Sequence, residues 1–335
     1  MISQVFNLIN KRFSFLVCVI FALFVLINCN DREFEFNESF YSMGTIVNLQ
    51  LTAIDSVTAI QGLKIVKDEF SRLDEKYSTY KKGNYIGKIN ADSNNIVNVD
   101  EETYNLLKIC KRVYRLTKGK FDPTLGYAID NLGFKNDSTD NPDSLRIKRL
   151  VVNAGLDKVQ LLEGFKIKKT PAIKFNFGGI VKGYAVDRAI GLLKQLNIKR
   201  ALINAGGEIG CIGNNWKVGI QDPRNYDSLA FVLSLDNQFT ATSGDYEQFK
   251  SAQEGKIIHI LDPDVGIANY YNQSVTVICD SNVLADPLAT GFMLMQPESI
   301  LQTINGLPKY EVIIIARNGN KFYSESIIHK YKLSY

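Results

Sequence analysis

The order of the predicted helices and strands is the feature that most restricts the fold of this chain. β-Branched residues mark a strand at 42–53, and apolar residues at helical spacing mark helices at 56–73 and 100–116. A third helix is predicted at 183–196, and a last one opens at Asp286. Further strand patterns cover 159–162, 172–177, 201–212, 216–221, 230–235, 257–261, 274–279, 312–316 and 321–324. Because regular βαβ alternation is missing, the sequence favours an α+β fold over a doubly wound parallel sheet.

Composition and charge point to one ordinary globular domain. The 335 residues are 45% hydrophobic and 22% charged, and the net charge is +4. Basic residues form no stripe interleaved with aromatic residues, so we expect no nucleic-acid partner. No linker rich in Pro, Gly or Ser divides the chain after its N-terminal segment, and we expect a single domain over residues 41–335.

The N-terminal segment has the pattern of a secretory signal. Lys11 and Arg12 precede an apolar run from Phe13 to Ile27, which is shorter than the roughly 20 residues of a full membrane span. Residues 26–29 end in Cys29 and resemble a bacterial lipobox. We therefore expect a signal peptide over residues 1–28, lipidation of Cys29, a tether over 29–40, and an extracytoplasmic, membrane-anchored lipoprotein. The alternative is an uncleaved N-terminal anchor.

The cysteines beyond the signal do not resemble a metal or redox site. Cys110, Cys211 and Cys279 are isolated, have apolar neighbours and lack C-x-x-C spacing. We expect them to be buried core residues.

The segment LADPLATG at 284–291 contains oxygen groups at helical spacing. Asp286 followed by Pro287 is typical of a helix start, with an acidic N-cap and proline at the first helical position. Thr290 lies four residues further on, so both side chains would face one side of the helix. A carboxylate and a hydroxyl group suit a hard cation such as Mg²⁺. Simple helix capping, with Thr290 packed inside, remains the alternative from spacing alone.

Two glycine turns and one histidine are further candidates. Gly178-Gly179 precede Lys182 and a helix, and such backbone amides can hold a phosphate group, although the segment matches no standard nucleotide motif. The NAGG segment at 204–207 allows either a functional turn or a β-bulge. His259 lies in an alternating strand pattern, where it is either a structural residue or a general base.

Taken together and in this order, these segments resemble the ApbE family of FAD:protein FMN transferases. The resemblance runs from Met43-Gly44-Thr45 to the region after Thr290. Its pieces are STY at 78–80, GKFDPT at 119–124, GGIVKGYAVD at 178–187, NAGGE at 204–208, SG at 243–244, IHILDP at 258–263 and ADPLAT at 285–290.

The resemblance implies a single compact α+β domain, similar to the T-fold, with FAD as substrate and Mg²⁺ as the metal. It implies metal binding by Asp286 and Thr290, with Gly179 adding a carbonyl group and Ala289 beside the site. His259 and Asp286 are the implied catalytic residues. The residues implied to contact FAD are Met43, Tyr80, Phe121, Asp122, Pro123, Asn176, Lys182 and Ile260. Asn176 and Pro287 depart from the residues that are usual in the family.

The implied reaction moves FMN from FAD to a threonine or serine hydroxyl group of a partner protein and releases AMP. The implied partners are exported flavin-bearing subunits of membrane redox complexes. Two other activities remain open from the sequence. One is a Mg²⁺-dependent FAD pyrophosphatase that yields FMN and AMP, and the other is a non-catalytic FAD-binding lipoprotein.

Overall fold

A broad antiparallel sheet organises the computed structural model, which describes residues 33–133, 143–247, 249–252, 255–258, 260–266 and 270–331. The strands are β1 (Phe34–Ser42), β2 (Thr45–Ala53), β3 (Ile96–Asn98), β4 (Gln160–Leu162), β5 (Lys166–Lys168), β6 (Arg200–Ala205), β7 (Glu208–Ile212), β8 (Trp216–Gln221), β9 (Leu229–Leu235), β10 (Phe239–Gly244), β11 (Phe249–Ala252), β12 (Gly255–Ile258), β13 (Asn272–Cys279), β14 (Glu311–Ala316) and β15 (Lys321–Tyr323). The helices are α1 (Ser56–Tyr77), α2 (Tyr85–Ala91), α3 (Glu101–Leu116), α4 (Gly126–Asp130), α5 (Ser144–Asn153), α6 (Val181–Gln195), α7 (Asn282–Phe292), α8 (Pro297–Asn305) and α9 (Ile327–Tyr331).

The main sheet has the strand order β1-β2-β6-β7-β10-β13-β14-β15, and neighbouring strands pair antiparallel. A small sheet, β3-β5-β4, and the hairpins β8-β9 and β11-β12 lie outside it. This mixture of helices with antiparallel strands confirms the predicted α+β class.

The two faces of the sheet bury separate hydrophobic clusters because successive strand residues point to opposite sides. In β6, Ile203 belongs to the cluster under α1, α6 and α7, while Leu202 belongs to the cluster under β8-β9 and α9. In β13, Val277 and Ile278 divide in the same way. The sheet therefore holds helices on one face and a hairpin with a short helix on the other.

Several predicted elements are confirmed, and others need correction. The helix predicted at 100–116 is α3, whose N-cap Asp100 accepts a hydrogen bond from the backbone of Thr103. The strands predicted at 42–53 and 201–212 are each interrupted by a hairpin turn. The strand predicted at 172–177 is wrong: in this stretch only Lys174 forms a bridge, and Phe175 donates its N–H to the Asn90 side chain instead of to a strand.

The N-terminal strand changes the predicted domain boundary. Residues 34–40 of the expected tether pair with β2 and so belong to the sheet. The predicted signal peptide at 1–28 and Cys29 lie outside the described residues. Among the residues that are described, no helix combines the length and the apolarity that crossing a membrane requires. Cys110, Cys211 and Cys279 are buried free thiols, as predicted.

Candidate active site

Two tight hairpin turns meet at one end of the main sheet. Met43 and Gly44, which join β1 to β2, have φ values of 51° and 76°; Gly206 and Gly207, which join β6 to β7, have φ values of 70° and 103°. Turns with two positive φ values match the twist of antiparallel strands. A Cβ atom on Gly206 would lie 2.4 Å from the Thr45 hydroxyl oxygen. The second turn therefore needs glycine both for its backbone conformation and for its contact with the first hairpin.

A close crossing of α6 and α7 positions the predicted metal ligand. A Cβ atom on Gly183 would lie 2.4 Å from the carbonyl oxygen of Asn282 and 2.7 Å from Cβ of Asp286. The Gly183 N–H donates to Oδ2 of Asp286 over 2.9 Å. The missing side chain thus lets the first turn of α6 hold the buried carboxylate of Asp286.

The predicted helix start at Asp286 is wrong. Helix α7 begins at Asn282, so Asp286 and Pro287 lie inside it. Pro287 has no N–H for the helical hydrogen bond, which shortens the ladder of α7 by one bond. Asp286 and Thr290 still share one helix face, and the Thr290 hydroxyl donates to the Asp286 carbonyl oxygen over 3.1 Å.

The cap of α7 comes from a distant part of the chain. Asp187, in α6, accepts hydrogen bonds from the Ser281 hydroxyl (2.7 Å), the Asn282 N–H (2.6 Å) and the Val283 N–H (3.0 Å). A carboxylate at a helix N-terminus stabilises the helix by satisfying its free amides and by its charge. Asp187 therefore fixes the start of α7 relative to α6.

A partly buried ion pair lies beside Asp286. The Lys182 ammonium group is 2.8 Å from both carboxylate oxygens of Glu208, which follows the Gly206-Gly207 turn. Burial would lower the pKa of Lys182, but Glu208 and the other nearby carboxylates, Glu247 and Asp286, hold it above its ordinary value. Burial raises the pKa of the Glu208 and Asp286 carboxyl groups, and Lys182 offsets only part of this effect. This centre has more acidic groups than the lysine can balance, which favours an added cation.

The oxygen groups around Thr290 fit a hard divalent cation. A Cβ atom on Gly179 would lie 3.1 Å from the Thr290 hydroxyl oxygen, and the Ser243 hydroxyl oxygen lies 3.4 Å from it. In the described part of the chain, no three His, Cys, Asp or Glu side chains group as metal ligands. A cation would therefore use mixed donors, namely the carboxylate of Asp286, the hydroxyl of Thr290 and the carbonyl of Gly179, which are the oxygen types that Mg²⁺ accepts. Ala289 is buried, and its carbonyl group accepts a helical N–H, so it packs beside this donor set.

The loop after α3 forms one wall of the site. A Cβ atom on Gly179 would lie 3.4 Å from the ring of Phe121. The carbonyl oxygen of Pro123 accepts the N–H of Asn176 over 2.8 Å, and the Asn176 side-chain oxygen accepts the N–H of Gly178 over 2.9 Å. Three of the predicted FAD contacts, Phe121, Pro123 and Asn176, are thereby joined to the glycine turn.

Asp122 stabilises this loop from within. Its carboxylate accepts hydrogen bonds from the N–H and hydroxyl groups of Thr124 (2.8 and 2.6 Å) and from the N–H of Leu156 (3.1 Å). Burial raises the pKa of Asp122, and these hydrogen bonds oppose the rise. These three hydrogen bonds use most of the roughly four acceptor sites of the carboxylate, which leaves little of it for the predicted contact with FAD.

The remaining predicted contacts, Ile260 and Tyr80, lie on two other segments. Ile260 is buried, and two residues later Asp262 pairs with Lys120 at 2.8 Å, which ties this segment to the Phe121 loop. Tyr80 lies exposed in the bend after α1. His259 lies outside the described residues.

Sequence reasoning missed three acidic side chains that shape this centre. Asp187 and Glu208 lie inside the segments at 178–187 and 204–208 that resemble the ApbE family. Their roles were not predicted because their partners lie 94 and 26 residues away in the chain. Glu247 follows the SG pair at 243–244, and a Cβ atom on Gly207 would lie 3.9 Å from one of its carboxylate oxygens. The sequence signal that could have pointed to Lys182 and Glu208 is the pair of glycines that precedes each of them.

The fold and this centre define an α+β protein whose buried, acidic, oxygen-rich site lies where two hairpin turns meet two crossing helices. The model of the ApbE family matches residues 43–314, and the chain belongs to the ApbE family.

Curated relatives extend over nearly the same length. The FAD:protein FMN transferase of Haemophilus influenzae is 27% identical over 343 residues, which cover 94% of this chain and 96% of that protein. The FAD:protein FMN transferase of Escherichia coli K12 is 26% identical over 298 residues, which cover 84% of each chain.

Solved structures show the same fold. The ApbE protein of Thermotoga maritima is 27% identical, with a TM-score of 0.81, and the match covers 88% of this chain and 98% of that one. The flavin transferase ApbE of Vibrio cholerae is 25% identical, with a TM-score of 0.78 and the same coverage.

Proposed function

We propose that this protein transfers FMN from FAD to a serine or threonine hydroxyl group of a partner protein and releases AMP. Family membership and the names of the curated relatives support this activity. The observation that carries it is the buried centre in which Asp286, Thr290 and Gly179 lie together beside the Lys182–Glu208 ion pair.

In the proposed reaction, the hydroxyl oxygen of the partner attacks the phosphorus of the FMN half of FAD. A new phosphate ester bond forms while the bond to the AMP half breaks, so AMP leaves with the bridging oxygen. The proton of the attacking hydroxyl passes to His259 or to Asp286. No other reactant is consumed.

The chain supports this reaction chiefly by holding charges in place. Asp286, Thr290 and the Gly179 carbonyl group would hold Mg²⁺, which supplies positive charge for the pyrophosphate. Lys182 is fixed by Glu208 and places a second positive charge at the start of α6. Since Asp286 is buried and held by the Gly183 N–H, and Lys182 is held by Glu208, little reorganisation is needed when charge develops on the phosphate.

The residues implied by the family resemblance are proposed to position FAD. Phe121, Pro123 and Asn176 would line one side, and Met43, Tyr80, Asp122 and Ile260 would complete the FAD site. The hairpin turn at Met43 lies against the turn that precedes Glu208, so both can face the same substrate.

The experiment is an incubation of the full chain with FAD, Mg²⁺ and an exported flavin-bearing protein as candidate acceptor. Flavin fluorescence of the acceptor in a denaturing gel, together with an equal amount of AMP, is the expected result. AMP without labelled protein, for several acceptors, would instead support a FAD pyrophosphatase. FAD binding without AMP would support a non-catalytic FAD-binding protein.

We also propose that Cys29 is lipidated and that the domain is held at a membrane outside the cytoplasm, where exported acceptors are present. The lipobox-like sequence before Cys29 supports this proposal. In the producing bacterium, Cys29→Ser should release the protein from the membrane fraction. Unchanged retention would favour an uncleaved N-terminal anchor.

A further inference from the structure

Four large apolar side chains are exposed where the described chain begins. Phe34 is 41% exposed, Ile54 72%, Val57 71% and Ile60 59%. We call these four residues the docking face. Apolar side chains that cluster at a surface indicate contact with another molecule or with a membrane.

The fold places these residues at the open end of the β1-β2 hairpin, next to the start of α1. Phe34 pairs with Ala53 in the register of β1 and β2, so Ile54 lies directly beside the start of β1. Val57 and Ile60 are three residues apart in α1 and so share a helix face.

The packing of α1 on β1 brings Ile60 to the same place. Lys67 of α1 pairs with Glu38 of β1 at 3.1 Å, and both elements run away from the docking face. Phe34 points to the same side of the strand as Glu38, since they are four residues apart. Ile60 lies seven residues before Lys67, about 10 Å along the helix, and Phe34 lies four residues before Glu38, about 13 Å along the strand. Because these two distances are similar, Ile60 and Phe34 lie near each other.

The chain outside the described residues indicates what covers this face. Cys29 precedes Phe34 by five residues, which can span at most about 17 Å. This step rests on the proposed lipid anchor at Cys29. A chain anchored there must keep Phe34, and with it the open end of the hairpin, close to the lipid.

The charges beside the face are mixed. A groove of about 200 Å³ adjoins Ile54, and Glu33, Lys199 and Arg200 are among the residues that line it. Acidic and basic groups are both present, so attraction to a strongly charged surface is not the main interaction. The apolar side chains are the feature that a zwitterionic lipid surface would bind.

We propose that the docking face rests on the phospholipid surface that carries the N-terminal anchor, with its apolar side chains among the lipid headgroups. The hairpin turn at Met43 lies at the other end of β1 and β2. The candidate active site therefore faces away from the membrane, towards exported partner proteins.

The test uses the full chain in phosphatidylcholine vesicles whose acyl chains carry bromine, a quencher of tryptophan fluorescence. One variant carries Ile60→Trp, and its matched control carries Val152→Trp, which replaces an exposed apolar residue of α5. The signal of the native Trp216 is subtracted with the unsubstituted chain. We expect a blue shift and quenching at position 60 and neither at position 152. Adding Val57→Ser and Ile54→Ser to the position-60 variant should reduce the quenching.

The other outcomes separate the two proposals. A full chain that is not retained by the vesicles would overturn the anchor, and with it the docking face. A chain that is retained but shows no quenching at position 60, or equal quenching at both positions, would overturn the docking face and leave the anchor standing.

Discussion

Gly183 and Asn282 lie so close together that a Cβ atom on the glycine would sit 2.4 Å from the Asn282 carbonyl oxygen. Gly183→Ala should therefore push α6 and α7 apart and move the Asp286 carboxylate. Overpacking of this kind typically costs about 1–3 kcal/mol of unfolding free energy, and we expect a larger relative loss of FMN transfer. Urea unfolding and a transfer assay measure the two effects.

The matched control for this change is Gly191→Ala in the same helix, where a Cβ atom meets nothing within 4 Å. Alanine is the better helix former, so this variant should be unchanged or more stable by up to about 1 kcal/mol. Equal behaviour of the two variants would show that the close crossing of α6 and α7 is unimportant.

Asp286→Asn should remove most of the Mg²⁺-dependent activity while the fold is retained. The asparagine keeps an oxygen that can accept the Gly183 N–H but loses the negative charge that a cation needs. Loss of activity should be about 100-fold or more, and higher Mg²⁺ should recover part of it. The control is Asp280→Asn, which changes an exposed carboxylate paired with Lys309. Full activity of the Asp286 variant at ordinary Mg²⁺ would refute the proposed metal site.

Glu208→Gln should be destabilising because the partly buried ammonium group of Lys182 loses the carboxylate that contacts it directly, while Glu247 and Asp286 remain nearby. Breaking one side of a fully buried ion pair costs about 3–5 kcal/mol, and we expect a smaller loss here. Replacing both residues, with Lys182→Met and Glu208→Leu, should recover much of this stability but no activity. Thermal unfolding of both variants measures this difference. A double variant that is less stable than Glu208→Gln would contradict the prediction.

Glu102 predicts a pH dependence of stability away from the active site. It accepts hydrogen bonds from Arg72 (2.7 and 2.9 Å), Lys76 (2.5 Å) and the Tyr184 hydroxyl (3.0 Å), and so it joins α3 to α1 and α6. Partial burial would raise the pKa of Glu102, but the hydrogen bonds from Arg72 and Lys76 outweigh it and lower the pKa to about 2.

A glutamate in an unfolded chain has a pKa of about 4.3, so this lowered pKa stabilises the folded protein above that pH. The contribution, about 1–2 kcal/mol after screening by solvent, is lost as the pH falls towards 2. Glu102→Gln should therefore lower the unfolding free energy at pH 7, by about half as much at pH 3, and by little at pH 2. The exposed neighbour Glu101→Gln is the control, and a pH-independent difference for Glu102→Gln would contradict the assignment.

Local sequence patterns predicted the elements whose stabilising groups are close in the chain. The helix at 100–116 was recognisable because its cap, Asp100, and its apolar stripe are adjacent. The placement of Asp286 and Thr290 on one helix face follows from their four-residue spacing alone, and their use as metal ligands stays a prediction.

Local sequence patterns gave wrong predictions where a residue distant in the chain determines the local structure. The start of α7 depends on Asp187, which lies 95 residues before Asn282 and cannot be seen from the local sequence. Residues 172–177 have the apolar character of a strand, but the side chain of Asn90, 85 residues away, takes the hydrogen bond of Phe175. The Lys182–Glu208 pair likewise needs α6 and the second hairpin to be in place.

The β1-β2 hairpin has nine residues in each strand, and its turn lies at the candidate active site. Eight residue steps correspond to about 27 Å. If the open end of the hairpin rests on lipid, this length sets the height above the bilayer at which FMN is delivered. Acceptor hydroxyl groups of a membrane-bound partner would then be chosen partly by their height, in addition to the sequence around them.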